Sequence, residues 1–378
     1  MDYEVIVAGG SVSGLLCARE IALLGHSVLV IEEDYEIGTP EHCGGVVSIS
    51  GIEELGVVLT RRTLDNKIRS ASIISPAGKS FSLDARAQKV VVLNRRDFDK
   101  QIAHQAKNNG AEIRVRTSLK EIDGNEVKTS EGMLKCKIVV DARGVSSLIY
   151  KDREGILQSA QYEVYADWIE KDRIEVYFDQ EKYPGFFAWI IPTHTDIAKV
   201  GVAGKGINAA VALENFLLQK GKYSVVRKIF APIWIKGPIE NFVTKNIVTI
   251  GDAAGQSKPT TAGGIYSCGL GGIFAGRAIS KYLESENQSD LLEYQKAWSK
   301  KFGHEFQNMI LARNLLERFD NKAIDKIFEY VTPQILEEIS KESTFDFHTV
   351  SLAKLLGVKG SVKAVQAILG SEFRRLLT

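Results

Sequence analysis

The first forty residues constrain the fold of this chain more than any other stretch. Residues Tyr3–Ala8 are apolar and rich in β-branched side chains, which is typical of a buried strand. The glycine-rich turn 9–14 follows, then a helical pattern over 15–24 and a second apolar run over 27–31. Glu32 comes directly after that run, 18 residues past the last glycine of the turn. This order predicts a βαβ unit that binds a dinucleotide.

Each part of this unit has a physical role in binding a diphosphate. Gly9 permits the sharp turn, and Gly14 lets the helix lie against the strand. The free N–H groups at the start of the helix attract a pyrophosphate, and Glu32 can accept the hydroxyl hydrogens of an adenosine ribose. Ser11 stands where the motif has its second glycine, and serine is small enough for a diphosphate to approach. A βαβ unit that binds nothing is the alternative interpretation.

Composition limits the classes of protein to which the chain can belong. Its 378 residues suffice for two or three domains, and its net charge of +1 gives no field that favours nucleic acid or anionic lipid. Asp2 and Glu4 do not fit the basic start of a signal peptide, and no apolar run approaches the roughly 20 residues that span a bilayer. The cysteines are scattered without metal-ligand spacing: Cys17, Cys43, Cys136 and Cys268. We therefore expect a cytoplasmic protein with no metal site and no nucleic-acid partner.

A second glycine-rich segment, 246–278, has the features of a flavin site. Its strand IVTI runs into Gly251–Gly255, then Pro259, and Ala262–Ile265 opens a helix of small residues. Asp252, at the carboxyl end of the strand, can accept a ribityl hydroxyl. The N-terminal dipole of the helix suits the negative charge that a reduced flavin carries at its N1–C2 edge. A helix that only packs would not need the acid, the proline and the small residues together.

Two further stretches permit both a functional and a structural interpretation. In the loop 36–50, Cys43-Gly44-Gly45 allows a flat ring to approach the backbone with a thiol facing it, although Cys43 can equally be a small buried hydrophobe. Within residues 151–240, the runs AQYEVYADW and RIEVYF alternate with a period of two, as in an antiparallel sheet. This region carries an aromatic cluster that suits either an apolar pocket or a sheet core: Tyr183, Phe186, Phe187 and Trp189.

Over most of residues 1–280 the chain resembles the flavoprotein hydroxylase-like superfamily, and within it the archaeal geranylgeranyl reductases, which saturate prenyl chains of membrane lipids. Besides the turn 9–14, the resemblance rests on Arg95-x-x-Phe98-Asp99, Asp141–Ser147 and the segment from Gly251 to Ile265, with Arg143 in place of the usual aspartate. It implies that FAD is the cofactor. The implied FAD-binding residues are Gly9, Ser11, Ser13, Gly14, Glu32, Cys43, Gly44, Arg95, Leu119, Asp252, Gly263, Gly264 and Ile265.

Two motifs resemble the reductases in particular. Pro40-x-x-Cys43-Gly44 is similar to their cysteine-bearing loop beside the flavin. The run FAWIIP from Phe187 to Pro192, followed by Gly201, is similar to the aromatic box that lines their lipid site. The family has a tyrosine, a phenylalanine and a last glycine where this chain has Phe187, Ile191 and Ala203. The resemblance implies a catalytic role for Cys43 and substrate contacts from Tyr183, Phe187 and Trp189.

The sequence therefore predicts an α/β (α+β) fold, with a Rossmann-like FAD-binding domain, an inserted antiparallel-sheet substrate domain and a helical C-terminal region. The expected boundaries are 1–58, 93–150 and 241–286 for the FAD-binding domain, 59–92 and 151–240 for the substrate domain, and 287–378 for the helical region. Within the last region, the amphipathic stretch 361–377 is either a helix packed on the body of the protein or a lipid-facing cap. Contact with a membrane surface therefore stays open.

The implied reaction is the saturation of isolated double bonds in a prenyl lipid or prenyl quinone. Reduced FAD would supply a hydride, and Cys43 or a water that it positions would supply a proton. The π-face of Trp189 suits a developing cation. Because the chain has one dinucleotide fingerprint, the electron donor stays open among NAD(P)H, a ferredoxin-like protein and a quinol. The alternative functions are an FAD-dependent monooxygenase, which uses O₂, and a non-catalytic flavin protein that relays electrons.

Overall fold

The computed structural model describes residues 1–149, 152–342 and 345–347, so the predicted helix at 361–377 lies outside the described residues. Within them the chain forms an eight-stranded, a seven-stranded and a three-stranded sheet, with helices packed around them. The helical part after residue 287 is present as well. The predicted α/β (α+β) class is confirmed. The division of the chain into domains at the boundaries given above stays a prediction.

The eight-stranded sheet contains the opening βαβ unit. Its strands are β1 (Tyr3–Ala8), β2 (Val28–Ile31), β8 (Glu112–Arg114), β9 (Leu119–Asp123), β10 (Glu126–Thr129), β11 (Gly132–Asp141), β17 (Val243–Thr244) and β18 (Ile247–Thr249). β1 lies between β2 and β11 and is parallel to both, and β18 adds a further parallel strand beside β11. Because these strands are parallel, their carboxyl ends meet at one edge of the sheet, where Ala8 is aligned with Ile31 and Asp141.

The seven-stranded sheet is antiparallel except where β13 meets β5. Its strands are β5 (Ser70–Ile74), β6 (Ser80–Asp84), β12 (Ile156–Tyr165), β13 (Arg173–Tyr177), β14 (Ala188–His194), β15 (Ile197–Gly204) and β16 (Ser224–Trp234). Helix α5 (Ala209–Lys220) covers one face, where Tyr162, Val200 and Leu213 belong to one buried cluster. Since side chains alternate along a strand, the neighbouring residues Gln161 and Lys199 lie on the opposite face.

The three-stranded sheet, of β3 (Val46–Ser48), β4 (Leu64–Lys67) and β7 (Val90–Leu93), is in contact with β14 of the seven-stranded sheet. The other helices are α1 (Val12–Leu23), α2 (Ile49–Glu54), α3 (Arg95–Asn108), α4 (Ser146–Ile149), α6 (Ile265–Ser285), α7 (Gln288–Leu316), α8 (Asn321–Tyr330) and α9 (Pro333–Glu342). Asn94 caps α3 by accepting the Asp97 N–H at 3.1 Å. Among the described helices, none combines the length and apolar character needed to cross a membrane.

The two glycine-rich segments of the sequence meet through their helices. A Cβ atom added at Gly272 of α6 would lie 2.1 Å from the backbone oxygen of Ser13 in α1. Gly276, one turn later in α6, would likewise bring a Cβ to 2.7 Å from the Cys17 oxygen. The small residues of α6 therefore permit backbone contact with α1, and this contact brings the start of α6 close to the turn 9–14.

Replacing Gly272 with alanine is expected to destabilise the protein by at least about 2 kcal/mol, because backbone atoms cannot move aside for the new methyl group. The matched control is Gly303→Ala in α7, where the nearest atom to the added Cβ is 3.8 Å away. Helix propensity predicts that this control gains about 0.5–1 kcal/mol. Urea unfolding measures both changes, and equal stability of the two variants would contradict the proposed backbone contact.

Candidate functional site

The turn 9–14 lies at the carboxyl edge of the parallel sheet and depends on its glycines. A Cβ at Gly9 would lie 2.3 Å from the oxygen of Ala142, which follows β11. A Cβ at Gly14 would lie 2.0 Å from the oxygen of Gly9. Gly9 also has φ +116°, in the region that favours glycine. The turn is therefore held between β1, β11 and α1, with room for no larger residue at either position.

The residues around this turn fit the adenosine diphosphate half of FAD. Ser11 is the N-cap of α1, is exposed and makes no side-chain capping bond, so the first N–H groups of the helix lack a side-chain acceptor. One carboxylate oxygen of Glu32 accepts the Gly10 N–H at 2.6 Å, and the other accepts the Asp34 N–H at 3.0 Å. Each carboxylate oxygen keeps a lone pair for a ribose hydroxyl. Ser13 packs nearby, its Oγ close to Gly251.

The segment at 251–265 lies at the same sheet edge, since β18 leads directly into it. The Asp252 carboxylate accepts hydrogen bonds from Ser257 and, at 3.4 Å, from the Cys268 thiol. Helix α6 begins at Ile265 after Gly264, where a Cβ would lie 2.4 Å from the Ser257 oxygen. Gly264 therefore lets the start of α6 approach Asp252 closely. The predicted acid and helix start are neighbours, as a site for a flavin and its ribityl chain requires.

The cysteine loop, residues 40–45, brings a half-buried thiol to this region. The Gly45 N–H donates to the Cys43 sulfur at 3.3 Å, and the Arg95 guanidinium lies close enough to interact with it electrostatically. Arg95 forms a two-point ion pair with Asp99 at 2.9 and 2.8 Å. Burial lowers the pKa of Arg95, but Asp99 and Cys43 outweigh this effect and raise it above its usual range. The Cys43 sulfur thus lies beside a fixed positive charge.

A buried charge cluster fastens the cysteine loop to the seven-stranded sheet. Glu41, two residues before the thiol, hydrogen-bonds to Lys199 of β15 and, at 2.9 Å, to Arg227 of β16. The Lys199 side chain is only 2% exposed. Burial raises the pKa of Glu41, but the two cations outweigh burial and hold it below its usual range. The cluster therefore holds Cys43 in a defined position relative to the sheet.

The aromatic box lies on the same face of the seven-stranded sheet as Lys199. Phe187 and Trp189 contact each other edge to face at 6.1 Å between ring centroids. They pack in a cluster that also includes Ala262 of the predicted flavin segment. The indole N–H of Trp189 donates to Gln161 at 3.1 Å, and the Gln161 amide donates to the Cys43 carbonyl oxygen at 3.5 Å. The aromatic box, the cysteine loop and the flavin segment therefore converge.

Two of the predicted site residues do not lie where the aromatic box, the cysteine loop and the flavin segment meet. Tyr183 packs with Phe216 of α5 in the cluster on the opposite face of the seven-stranded sheet, and its predicted role in binding substrate stays a prediction. Leu119 begins β9 and packs beside Ile6 and Ala8 on the far face of the parallel sheet. It lies near the end of β2, because the Thr117 N–H donates to the Glu32 oxygen. The predicted contact of Leu119 with FAD also stays a prediction.

The sequence interpretation missed Glu41, Lys199 and Gln161. A lysine within the apolar run IAKVGVAG was a detectable signal, because a charged residue in a buried strand needs a partner. Its partner Glu41 is 158 positions away in the sequence and could not be identified without the fold. Gln161 has no comparable signal, since a polar residue in an alternating strand is ordinarily interpreted as exposed.

Comparison with known proteins agrees with this geometry. Residues 2–216 match the family model described as an FAD binding domain. The chain is 31% identical over 354 residues to the digeranylgeranylglycerophospholipid reductase of Methanocaldococcus jannaschii, an alignment that covers 86% of this chain and 90% of the relative. The fold and the matched family model thus define a flavoprotein with FAD as its cofactor. Within that class, the chain belongs to the digeranylgeranylglycerophospholipid reductase family, which confirms the resemblance inferred from the motifs.

Solved structures share the fold at lower identity. A geranylgeranyl bacteriochlorophyll reductase-like protein from Thermoplasma acidophilum has a TM-score of 0.81 and 21% identity, with 99% of this chain and 97% of that chain covered. The p-nitrophenol 4-monooxygenase PnpA of Pseudomonas putida has a TM-score of 0.63 and 16% identity, with 94% and 98% covered. At these identities the likeness concerns the fold alone, and it is greater for the reductase-like protein.

Replacing Glu41 with glutamine is expected to destabilise the protein by about 3 kcal/mol at pH 7, because the buried Lys199 loses its anion and Arg227 keeps only its ion pair with Glu163. Folding lowers the pKa of Glu41. Its contribution to the unfolding free energy is therefore fully present above the pKa of the unfolded state, and it is lost as the pH falls through the pKa of the folded state. The difference in unfolding free energy between wild type and variant should therefore narrow below about pH 4.3.

The matched control for this prediction is Glu53→Gln, which alters an exposed carboxylate. We expect it to change the unfolding free energy by less than about 0.5 kcal/mol at any pH between 4 and 7. Denaturant unfolding at several pH values provides the measurement. If Glu41→Gln lowers the unfolding free energy no more than Glu53→Gln does, this result would contradict the inference that Glu41 holds the cysteine loop on the seven-stranded sheet.

Proposed function

We propose that the chain is an FAD-dependent reductase that saturates carbon–carbon double bonds of a prenyl, geranylgeranyl-type lipid. The observation that carries the proposal is the convergence of three features: a half-buried thiol in the loop 40–45, the aromatic box, and the glycine-rich flavin segment. A flavin site alone suits many reactions. A thiol beside a fixed cation, next to an aromatic apolar surface, suits the addition of hydrogen to an unactivated alkene.

The proposed chemistry divides between the cofactor and the side chains of this chain. FAD held by the turn 9–14 and the segment 251–265 would, in its reduced form, be the source of a hydride for one alkene carbon. Cys43, directly or through a water that it positions, donates the proton to the other carbon, and solvent returns a proton to the sulfur afterwards. The Arg95 guanidinium and the Gly45 N–H both face the sulfur, so negative charge left on it meets positive partners.

The aromatic box supplies the proposed binding surface for the prenyl chain. Protonation of an isolated alkene gives carbocation character to the second carbon, and the π-faces of Phe187 and Trp189 attract a cation. Next to Phe187, a row of small residues crosses three neighbouring strands. Ala203 of β15 pairs with Ser159 of β12, which pairs with Ala231 of β16, so no large side chain occupies this row. An apolar chain needs few polar contacts here, since a buried chain of twenty carbons gains on the order of 10 kcal/mol.

Prenyl lipid incubated with the dithionite-reduced protein is expected to gain two mass units per double bond reduced, as measured by mass spectrometry. Dithionite stands in for the electron donor, which we leave as NAD(P)H, a ferredoxin-like protein or a quinol. A gain of sixteen mass units in the presence of O₂ would indicate a monooxygenase instead. Bound FAD with no change in any prenyl substrate would indicate a protein that only relays electrons.

In the same experiment, Cys43→Ser should keep its flavin absorbance per chain but lose at least about 100-fold in kcat, because serine is a far weaker acid than a thiol. Cys136→Ala is the control, since this thiol is buried on the far face of the parallel sheet. We expect it to retain near wild-type kcat. Full activity of Cys43→Ser would contradict the proposed proton donor without contradicting the reductase itself.

Replacing Glu32 with glutamine should weaken FAD binding about 10- to 100-fold, because each ribose hydrogen bond to a carboxylate contributes roughly 1.5–3 kcal/mol, against roughly 0.5–1.5 kcal/mol for one to a neutral amide. Glu33→Gln changes the next residue, which is exposed, and should leave the Kd within about twofold. Titration of the apoprotein with FAD, followed by the quenching of flavin fluorescence, gives both constants. Equal affinities of the two variants would argue against a ribose contact by Glu32.

A further inference from the structure

We propose that Gln161 is a positioning residue that fixes the aromatic box relative to the cysteine loop. Through this link, Gln161 determines which double bond of a prenyl chain lies at the thiol. The inference rests on the proposed function and deepens it by naming a residue that controls the product. Gln161 does not touch the reacting atoms in this account and acts through Trp189 and Cys43.

The register of the seven-stranded sheet aligns the residues of this link. Trp189 of β14 pairs with Gly201 of β15, and Gly201 pairs with Gln161 of β12. These three residues form a row across neighbouring strands on the face turned toward the cysteine loop. A Cβ at Gly201 would lie 2.3 Å from the indole ring of Trp189. The indole therefore lies over Gly201 and reaches Gln161, one strand further on.

Its two hydrogen-bond partners fix the orientation of the Gln161 amide. The indole N–H of Trp189 can only donate, so the Gln161 oxygen must face it, and the distance is 3.1 Å. This orientation directs the Gln161 amide nitrogen to the carbonyl oxygen of Cys43, at 3.5 Å. Gln161 is only 6% exposed, so water competes little for either bond. One side chain thus holds the aromatic box with one end and the cysteine loop with the other.

Apolar contacts surround this link between Gln161 and the cysteine loop. A Cβ at Gly44 would lie 2.7 Å from the Ile191 side chain and 3.9 Å from the Gln161 oxygen. The loop therefore packs closely on the sheet beside the Gln161 side chain. Apolar contacts such as that of Gly44 with Ile191 are non-directional, whereas the two hydrogen bonds of Gln161 have defined directions. Gln161 therefore sets the lateral position of the loop over the aromatic box.

This position matters because a prenyl chain repeats the same trisubstituted double bond along its length. Apolar burial alone stabilises every register of such a chain almost equally. The separation between the π-face of Trp189 and the Cys43 thiol determines which double bond contacts the indole ring and also receives the proton. Loss of Gln161 should therefore lower kcat and change the distribution of partly saturated products, while leaving the affinity for the chain nearly unchanged.

The test compares Gln161→Met, Trp189→Phe and the double variant, with Gln158→Met as control. Gln158 is exposed on the same strand, so its replacement should leave activity unchanged. We expect kcat to fall about 10-fold in Gln161→Met with KM within about twofold, and partly saturated products to be redistributed. Because both single changes remove one shared hydrogen bond, the double variant should lose much less than the product of the two single losses.

A second measurement keeps the outcome independent of the reductase activity. Cys43 is half-buried while the other three cysteines are buried, so alkylation of the native protein reports on Cys43. Its rate should rise severalfold in Gln161→Met and stay unchanged in Gln158→Met. If the wild-type protein reduces no prenyl lipid, the proposed function fails. An unchanged alkylation rate in Gln161→Met overturns the proposed link between Gln161 and the cysteine loop, whether or not the protein is a reductase. With an active wild type, unchanged products and kcat in Gln161→Met, or fully additive losses, overturn the inference.

Discussion

The alignment of parallel strands at one sheet edge is the constraint on which the rest of the molecule depends. β1 is paired with β2 and with β11, so Ala8, Ile31 and Asp141 end at the same level. The chain after each strand then turns at the same place, and the start of α1 points its free N–H groups there. The backbone hydrogen bonds of these strands thus bring regions more than a hundred positions apart in the sequence to one edge.

The second requirement is a defined position of the cysteine loop between two sheets. The loop leaves the parallel sheet after β2, yet it bonds to the seven-stranded sheet through the Glu41 side chain and through the Cys43 carbonyl oxygen, which accepts from Gln161. A buried ion pair gives little net stability by itself, but its directionality favours one arrangement over similar ones. Here that arrangement brings a thiol to the boundary between the sheet edge that we propose binds FAD and an apolar face. The proposed chemistry needs both surfaces at once.

Much of the fold could be predicted from the sequence because its signals are local. Strand Tyr3–Ala8, the glycines of the turn 9–14, and α3 with its Asn94 cap all depend on residues near one another in the chain. The parts that escaped prediction depend on cross-strand register and on the side of the sheet. Tyr183 is only four positions from Phe187, yet it lies on the opposite face with α5. Gln161 meets Trp189 through a register that no sequence pattern reveals.

The most direct test of the central claim is a titration of the apoprotein with FAD while the alkylation rate of Cys43 is followed by peptide mass analysis. The account predicts saturation at one FAD per chain and, over the same concentration range, a clear slowing of alkylation. This result would mean that the thiol borders the occupied cofactor site. Failure to bind FAD, or binding that leaves the reactivity of Cys43 unchanged, would contradict it.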